Sequence, residues 1–176
     1  MTTARCLLAA IAAVAATALA GCASLMGGSS ASAALMPTTG NTTTGSVTFA
    51  QRGGKVLVSG EVRGLKPGAE HGFHVHEKGD CSSGDGMSAG GHFNPAAAPH
   101  GRHGQGSHHA GDLVSLRADA SGSARFSFES ATISVGGGMA DVVGKGLIVH
   151  RDPDDYATQP TGNAGARLAC AVITRS

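Results

Sequence analysis

His74 and His76 stand one residue apart in HGFHVHEKGDC (71–81). GHFNPAAAPH (91–100), HHAGD (108–112) and LIVH (147–150) follow in order. All nine histidines of the chain lie between His71 and His150. Histidine is the commonest metal ligand among the side chains. A succession of imidazoles and carboxylates this dense reads as a metal site built for chemistry rather than for support.

Such ligands need a frame. In HGFHVHE, Phe73 and Val75 alternate with His74 and His76. A strand with period two therefore turns both histidines to one side and the apolar pair to the other. Other strand patterns are SVTFAQ (46–51) and KVLVSGEV (55–62), joined by the hairpin signal Arg52-Gly53-Gly54. Leu65-Lys66-Pro67-Gly68 marks a turn. DLVSLRAD (112–119), ARFSFES (124–130), DVVGKGLIVH (141–150) and ARLACAVIT (166–174) continue the set. ASAALMP (31–37) completes it, with Pro37 confined to an edge or a strand end. No helical periodicity of useful length appears beyond the N-terminal segment, and no internal repeat is evident. The expectation is an all-β domain of about eight strands, a sandwich or barrel. Residues 78–111 and 151–165 are too long and too rich in Gly, Ser, Pro, Asp and His for simple turns, so both are expected to be functional loops.

Composition excludes several alternatives. The 176 residues suffice for one domain with a real core. With 13 basic and 12 acidic side chains the net charge is +1, and removal of Arg5 brings it to zero. No basic surface for nucleic acid is indicated. Aromatic residues make up 3% with no Trp, so base-stacking platforms are not expected either. The 28 glycines fit a turn-rich β protein.

The N-terminus reads as a targeting segment. MTTAR offers one positive charge, Arg5, before an apolar run from Leu7 to Ala20 broken only by Thr17. The run is shorter than the ~20 residues of a membrane-spanning helix and fits a signal peptide over residues 1–21. Leu19-Ala20-Gly21-Cys22 resembles the bacterial lipoprotein signal, which implies cleavage before Cys22 and its lipidation. Residues 22–31 would then be the lipidated cysteine and a flexible tether, with the β domain over 32–176. Export also bears on the cysteines. Cys6 leaves with the signal, and Cys81 and Cys170 remain as an even pair in an oxidising compartment. A disulfide is favoured over a cysteine metal ligand, because histidines already fill the ligand list.

Together HGFHVHEKGDC, SAGGHFNPAAAPHG, HHAGDL, LIVH and GNAGARLAC resemble the copper,zinc superoxide dismutases, and in particular their exported bacterial branch. The resemblance runs from about Ala33 to the C-terminus. It implies an eight-stranded Greek-key β-sandwich or barrel with two long functional loops. It further implies one copper and one zinc ion per subunit and superoxide as substrate. His74, His76, His92 and His150 match the copper ligands. His92, which would bridge both metals, His100, His109 and Asp112 match the zinc ligands. Arg167 matches the active-site arginine, and with His92 it would take part in catalysis. Asp154 matches the carboxylate that hydrogen-bonds ligands of both metals, and Cys81 and Cys170 match the intrasubunit disulfide. The branch includes dimers and monomers, so a homodimer is compatible with the sequence. The implied setting is the periplasm or cell envelope, with a membrane attachment through Cys22 and no nucleic-acid partner.

The donor types suit this reading. Four imidazoles fit a copper that cycles between two oxidation states. Three imidazoles and a carboxylate make a closed structural zinc site. The 151–165 loop departs from the pattern, because it lacks the lysines by which many members draw anions inward. Arg151 and Lys145 are the cations at hand, beside Asp152, Asp154 and Asp155. Ala171 stands where a glycine is usual, and the turn between Gly68 and His71 is one residue longer than in some relatives. His103 is a rival to His100 and His108 to His109 as zinc ligand, although the spacing to Asp112 favours His109. Apart from that, His71, His103 and His108 read as structural or exposed loop residues, and Tyr156 as loop packing. Asp152 and Asp155 read as solvated charges. Gly136-Gly137-Gly138 is no phosphate cradle, since no helix pattern follows it. A copper-delivery domain on the same fold would be expected to lack a copper ligand or the arginine.

Overall fold

The structure, a computed structural model, describes residues 28–176. The signal peptide, Cys22 and most of the tether lie outside the described residues. Ten strands follow in order: β1 (Ser30–Pro37), β2 (Thr44–Arg52), β3 (Lys55–Arg63), β4 (Glu70–His71) and β5 (Phe73–His76) come first. β6 (Leu116–Arg117), β7 (Ala124–Ser130), β8 (Gly146–His150), β9 (Arg167–Val172) and β10 (Thr174–Arg175) complete the chain. Among the described residues the one helical element is a single 3-10 turn, Met87–Ala89.

The main sheet is antiparallel and runs β5-β8-β9-β1-β2-β3-β7, with β10 paired to β1. It curls into a half-barrel. The links from β3 to β5, by way of β4, and from β7 to β8 cross from one side of this sheet to the other, which is the Greek-key mode of connection. The β2–β3 hairpin pairs Arg52 with Lys55 across a two-residue Gly53-Gly54 loop, and Gly53 adopts φ 56°. A side chain would be disfavoured there, so the sequence signal and the turn agree. β1 takes in Ser30 and Ala31, the last two residues assigned to the tether, and Pro37 sits at its end.

Four expected strands are shorter or broken, each for a visible reason. HGFHVHE splits at Gly72, whose N–H turns to the Asp152 carbonyl. ARLACAVIT splits at Ile173, which exchanges backbone hydrogen bonds with Gly144 and Lys145 instead of continuing along β1. The first five residues of DVVGKGLIVH form a turn around the Asp141 carboxylate, which accepts the N–H groups of Gly136 and Val143. DLVSLRAD keeps only Leu116–Arg117 as a strand paired with β4, because Asp112 is taken up by the loop before it.

The core follows period two. Ala31, Ala33 and Leu35 of β1, Val47 and Phe49 of β2, and Val56, Val58 and Val62 of β3 are buried on one side. Phe73 and Val75 of β5, Leu147 and Val149 of β8, and Ala169 and Ala171 of β9 meet them. Burial of each large side chain contributes roughly 1.5–3 kcal/mol. On the opposite face of β5, β8 and β9 lie His74, His76, Ile148, His150 and Cys170. That face is buried as well, because the two long loops fold over it.

Candidate metal centre

His74 and His76 project from β5, as the alternation predicts, and His150 ends β8 beside them. A register irregularity between Val149 and His150 lies at that strand end. The first long loop then runs along the free edge of β5. Phe93 N–H donates to the Val75 carbonyl, Val75 N–H to Gly111, and Leu113 N–H to Phe73. Single bridges pair His76 with His92 and His74 with Asp112. These few backbone bonds carry His92 and Asp112 to the strand histidines. A Cβ at Gly111 would run into the Val75 carbonyl, so close approach requires glycine there.

Two groups of donors result. His74, His76, His92 and His150 form one, and His92, His100, His109 and Asp112 form the other. Within each group the donor atoms lie within 4.8 Å of one another, and every member is buried. His92 belongs to both. Its Nδ1 lies 2.9 Å from Asp112 Oδ1 and 3.4 Å from His109 Nδ1, while its Nε2 is buried without a hydrogen-bond partner. His100 Nδ1 stands 3.0 Å from the same Asp112 oxygen.

Each ring of the four-histidine group is aimed by its other nitrogen or by its neighbours. His74 Nε2 donates to Asp154 Oδ2 at 2.7 Å, leaving Nδ1 buried and unpartnered. His76 Nδ1 donates to the Gly90 carbonyl at 2.9 Å, and His150 Nδ1 to the Gly165 carbonyl at 3.2 Å. Their Nε2 atoms face each other 3.4 Å apart. Buried polar atoms without partners are rare and costly. Here they converge, and a cation accepting their lone pairs would satisfy them. The donor sets fit a four-nitrogen copper site and a three-nitrogen, one-oxygen zinc site.

Asp154 ties the groups together, since its Oδ1 accepts His100 Nε2 at 2.9 Å while Oδ2 holds His74. Burial alone would raise both Asp112 and Asp154. Hydrogen bonds from His100 and His92 hold Asp112 well below the usual carboxylate range, and those from His100 and His74 do the same for Asp154. Burial pulls His74 down to about 4 and puts His76 and His150 well below their ordinary value, so these rings are neutral donors at pH 7. Burial also opposes charge on His100, but Asp112 and Asp154 overcome it and push that ring up to about 9.

Arg167 opens β9 half-buried at the edge of the four-histidine group. Its Nη1 and Nη2 donate to the carbonyls of Gly86 (2.5 Å) and Gly90 (2.6 Å). Burial lowers its pKa, with Asp85 opposing, yet a guanidinium stays charged. Both carbonyls belong to a loop pinned by the Cys81–Cys170 disulfide, whose Cα atoms are 5.9 Å apart.

The family model described as copper/zinc superoxide dismutase (SODC) matches residues 43–173. The chain belongs to the copper/zinc superoxide dismutases. Superoxide dismutase (Cu-Zn) of Paramecium bursaria Chlorella virus 1 is 42% identical over 135 residues, 73% of this chain and 71% of its own length. Superoxide dismutase (Cu-Zn) 2 of Brassica juncea is 43% identical over 136 residues, 73% of this chain and 88% of its own. Among solved structures, the clock protein EA4 superimposes with a TM-score of 0.76 at 40% identity, covering 84% of this chain and 95% of that one. This dismutase accordingly uses one copper and one zinc ion.

Several residues support the dismutase site from outside the two donor groups. His71 donates through Nδ1 to the carbonyl of His150, and His103 through Nδ1 to the carbonyl of Asp112. Gln159 clamps the backbone of His100 from both sides, accepting its N–H and donating to its carbonyl. Neither cation named for steering is free. Arg151 pairs with Asp152, and Lys145 lies over the Phe93 ring and donates to the Glu77 carbonyl. Asp155 caps the backbone of Ala157 and Thr158.

Proposed function

We propose that this dismutase holds copper through His74, His76, His92 and His150, and zinc through His92, His100, His109 and Asp112. The observation that carries the assignment is the membership of one buried ring, His92, in both donor groups. Copper supplies the one-electron redox chemistry by which two superoxide anions and two protons become oxygen and hydrogen peroxide. The side chains do the rest. Arg167, fixed by two carbonyls, attracts and orients a small anion through its remaining N–H groups. His92 Nε2, buried without a hydrogen-bond partner, is the atom that would take up a proton and deliver it to the anion. Asp154 keeps the rings of His74 and His100 in place, as carboxylates behind ligand histidines do. Bound zinc would fix the first long loop.

Metal analysis of the purified chain, coupled to a superoxide assay, tests this reading. Wild type should hold one copper and one zinc and be active. His150→Ala should lose copper and activity while keeping zinc and the fold. A wild type that binds both metals yet is inert would favour a copper-delivery role on the same fold.

We further propose that the protein is exported and attached to a bacterial envelope membrane through lipid on Cys22, there to remove superoxide outside the cytoplasm. Arg5, the apolar run to Ala20 and the Leu19–Cys22 sequence support this setting. Incorporation of labelled fatty acid into wild type but not Cys22→Ser would be the expected result. A monomer and a homodimer both fit, and light scattering separates them.

A further inference from the structure

Tyr156 follows Asp154 by two residues and has a left-handed backbone, φ 59°. A bulky aromatic residue rarely adopts that conformation, so its surroundings must impose it. In this conformation its N–H donates to Asp154 Oδ1 at 2.7 Å, the same oxygen that accepts His100 Nε2. Its phenol reaches out of the loop to Glu70 Oε1 (2.9 Å) in β4 and Ser115 Oγ (2.8 Å) just before β6. The guanidinium of Arg102, two residues beyond His100, lies 3.8 Å above the ring centre. One side chain thus joins both long loops and the β4–β6 pair, and its own backbone touches the carboxylate that links the two donor groups.

We propose that Tyr156 is a positioning residue for the metal centre. The phenol's anchors hold the left-handed turn, the turn aims the Tyr156 N–H at Asp154, and Asp154 then fixes His100. The inference rests on the zinc assignment proposed above. It adds that the loop carrying Tyr156, which lacks steering lysines, serves here as a brace for the zinc side. Relaxation of Tyr156 to an ordinary backbone conformation would swing its N–H away and leave the Asp154 carboxylate free to rotate between His74 and His100.

The full-length, metal-loaded chain provides the test. Zinc release to a chromophoric chelator and the visible spectrum of the cobalt(II) derivative are read for wild type and variants. Supporting groups behind metal ligands are typically worth 10–100-fold in metal affinity. Tyr156→Ala should weaken zinc binding by about that factor and alter the cobalt spectrum. Tyr156→Asn should recover part of the loss, because asparagine tolerates the left-handed conformation although it cannot reach Ser115. Packing alone gives no reason for asparagine to outperform alanine. Ser115→Ala, which removes a phenol partner from the other side, should weaken zinc binding in the same direction and carries the test if Tyr156→Ala does not fold. Wild-type zinc affinity and an unchanged cobalt spectrum in the variants would overturn the proposal, as would Asn performing no better than Ala. A wild type that takes up no tetrahedral cobalt would overturn the zinc assignment itself.

Discussion

Arg167 and His76 hydrogen-bond to the same oxygen, the carbonyl of Gly90, at 2.6 and 2.9 Å. The cation proposed to meet the substrate and a ring of the four-histidine group are therefore registered to one peptide. Gly90 itself has φ 74°, and a Cβ there would collide with Glu77. Displacement of this peptide would disturb the anion path and the metal pocket together.

Removal of the guanidinium isolates the first of these effects. Arg167→Ala should retain copper and zinc but lose about 10–1,000-fold in kcat/KM, the range of electrostatic guidance. Its rate should also fall less steeply with added salt than that of wild type. Assays across ionic strength check this, and an undiminished rate would remove Arg167 from the mechanism.

Gly162 probes the zinc side. It has φ 66°, and a Cβ there would strike Asp154 Oδ1 and His100 Nε2. Gly162→Ala should lower zinc affinity by about 10–100-fold, read by chelator competition, and destabilise the fold by about 1–3 kcal/mol. Full zinc affinity would show that the loop yields without moving the carboxylate.

The disulfide spans 89 residues of sequence. The chain-entropy model gives roughly 4–5 kcal/mol for a closure of this length. The Cys81→Ser/Cys170→Ser double variant should lose roughly 2–5 kcal/mol in urea denaturation. Its activity should fall further than its metal content, since Gly86 and Gly90 would no longer be pinned beneath Arg167.

The metal-free protein should be most stable near pH 6.5. His74, at about 4 in the folded chain, is lower than its unfolded value near 6.5, so stability declines as pH drops through that interval. Asp112 and Asp154, both held low when folded, add to the loss at more acidic pH. His100, at about 9 when folded, acts in the opposite sense. Its contribution is complete below about 6.5 and vanishes as pH rises through 9. Urea midpoints measured in chelator from pH 4 to 9 should trace this maximum, whereas a flat profile would contradict it.

The strand ligands were the most legible part of the site. Period two alone puts His74 and His76 on one face, and the structure places them there with Phe73 and Val75 in the core. His92, His100, His109, Asp112 and Asp154 come from loops with no periodicity, so only their resemblance to a family pattern marked them. Gln159 and Gly90 escaped notice, and Tyr156 read only as loop packing, because they act through backbone groups or through distant polar partners. Ser115 and Glu70 are 41 and 86 residues from Tyr156. The broken strands at Gly72 and Ile173 were hidden for the same reason. Each break is set by a partner elsewhere in the chain, not by its own residue pattern.

β1 has a polarity of its own. The described chain enters it at Ser30, and eight residues later Thr38 donates its hydroxyl proton to the carbonyl of Arg167. At about 3.3–3.4 Å per residue, the strand sets those two points roughly 25 Å apart. An attachment upstream of Ser30 would therefore join the domain at the end of β1 away from the Arg167 backbone.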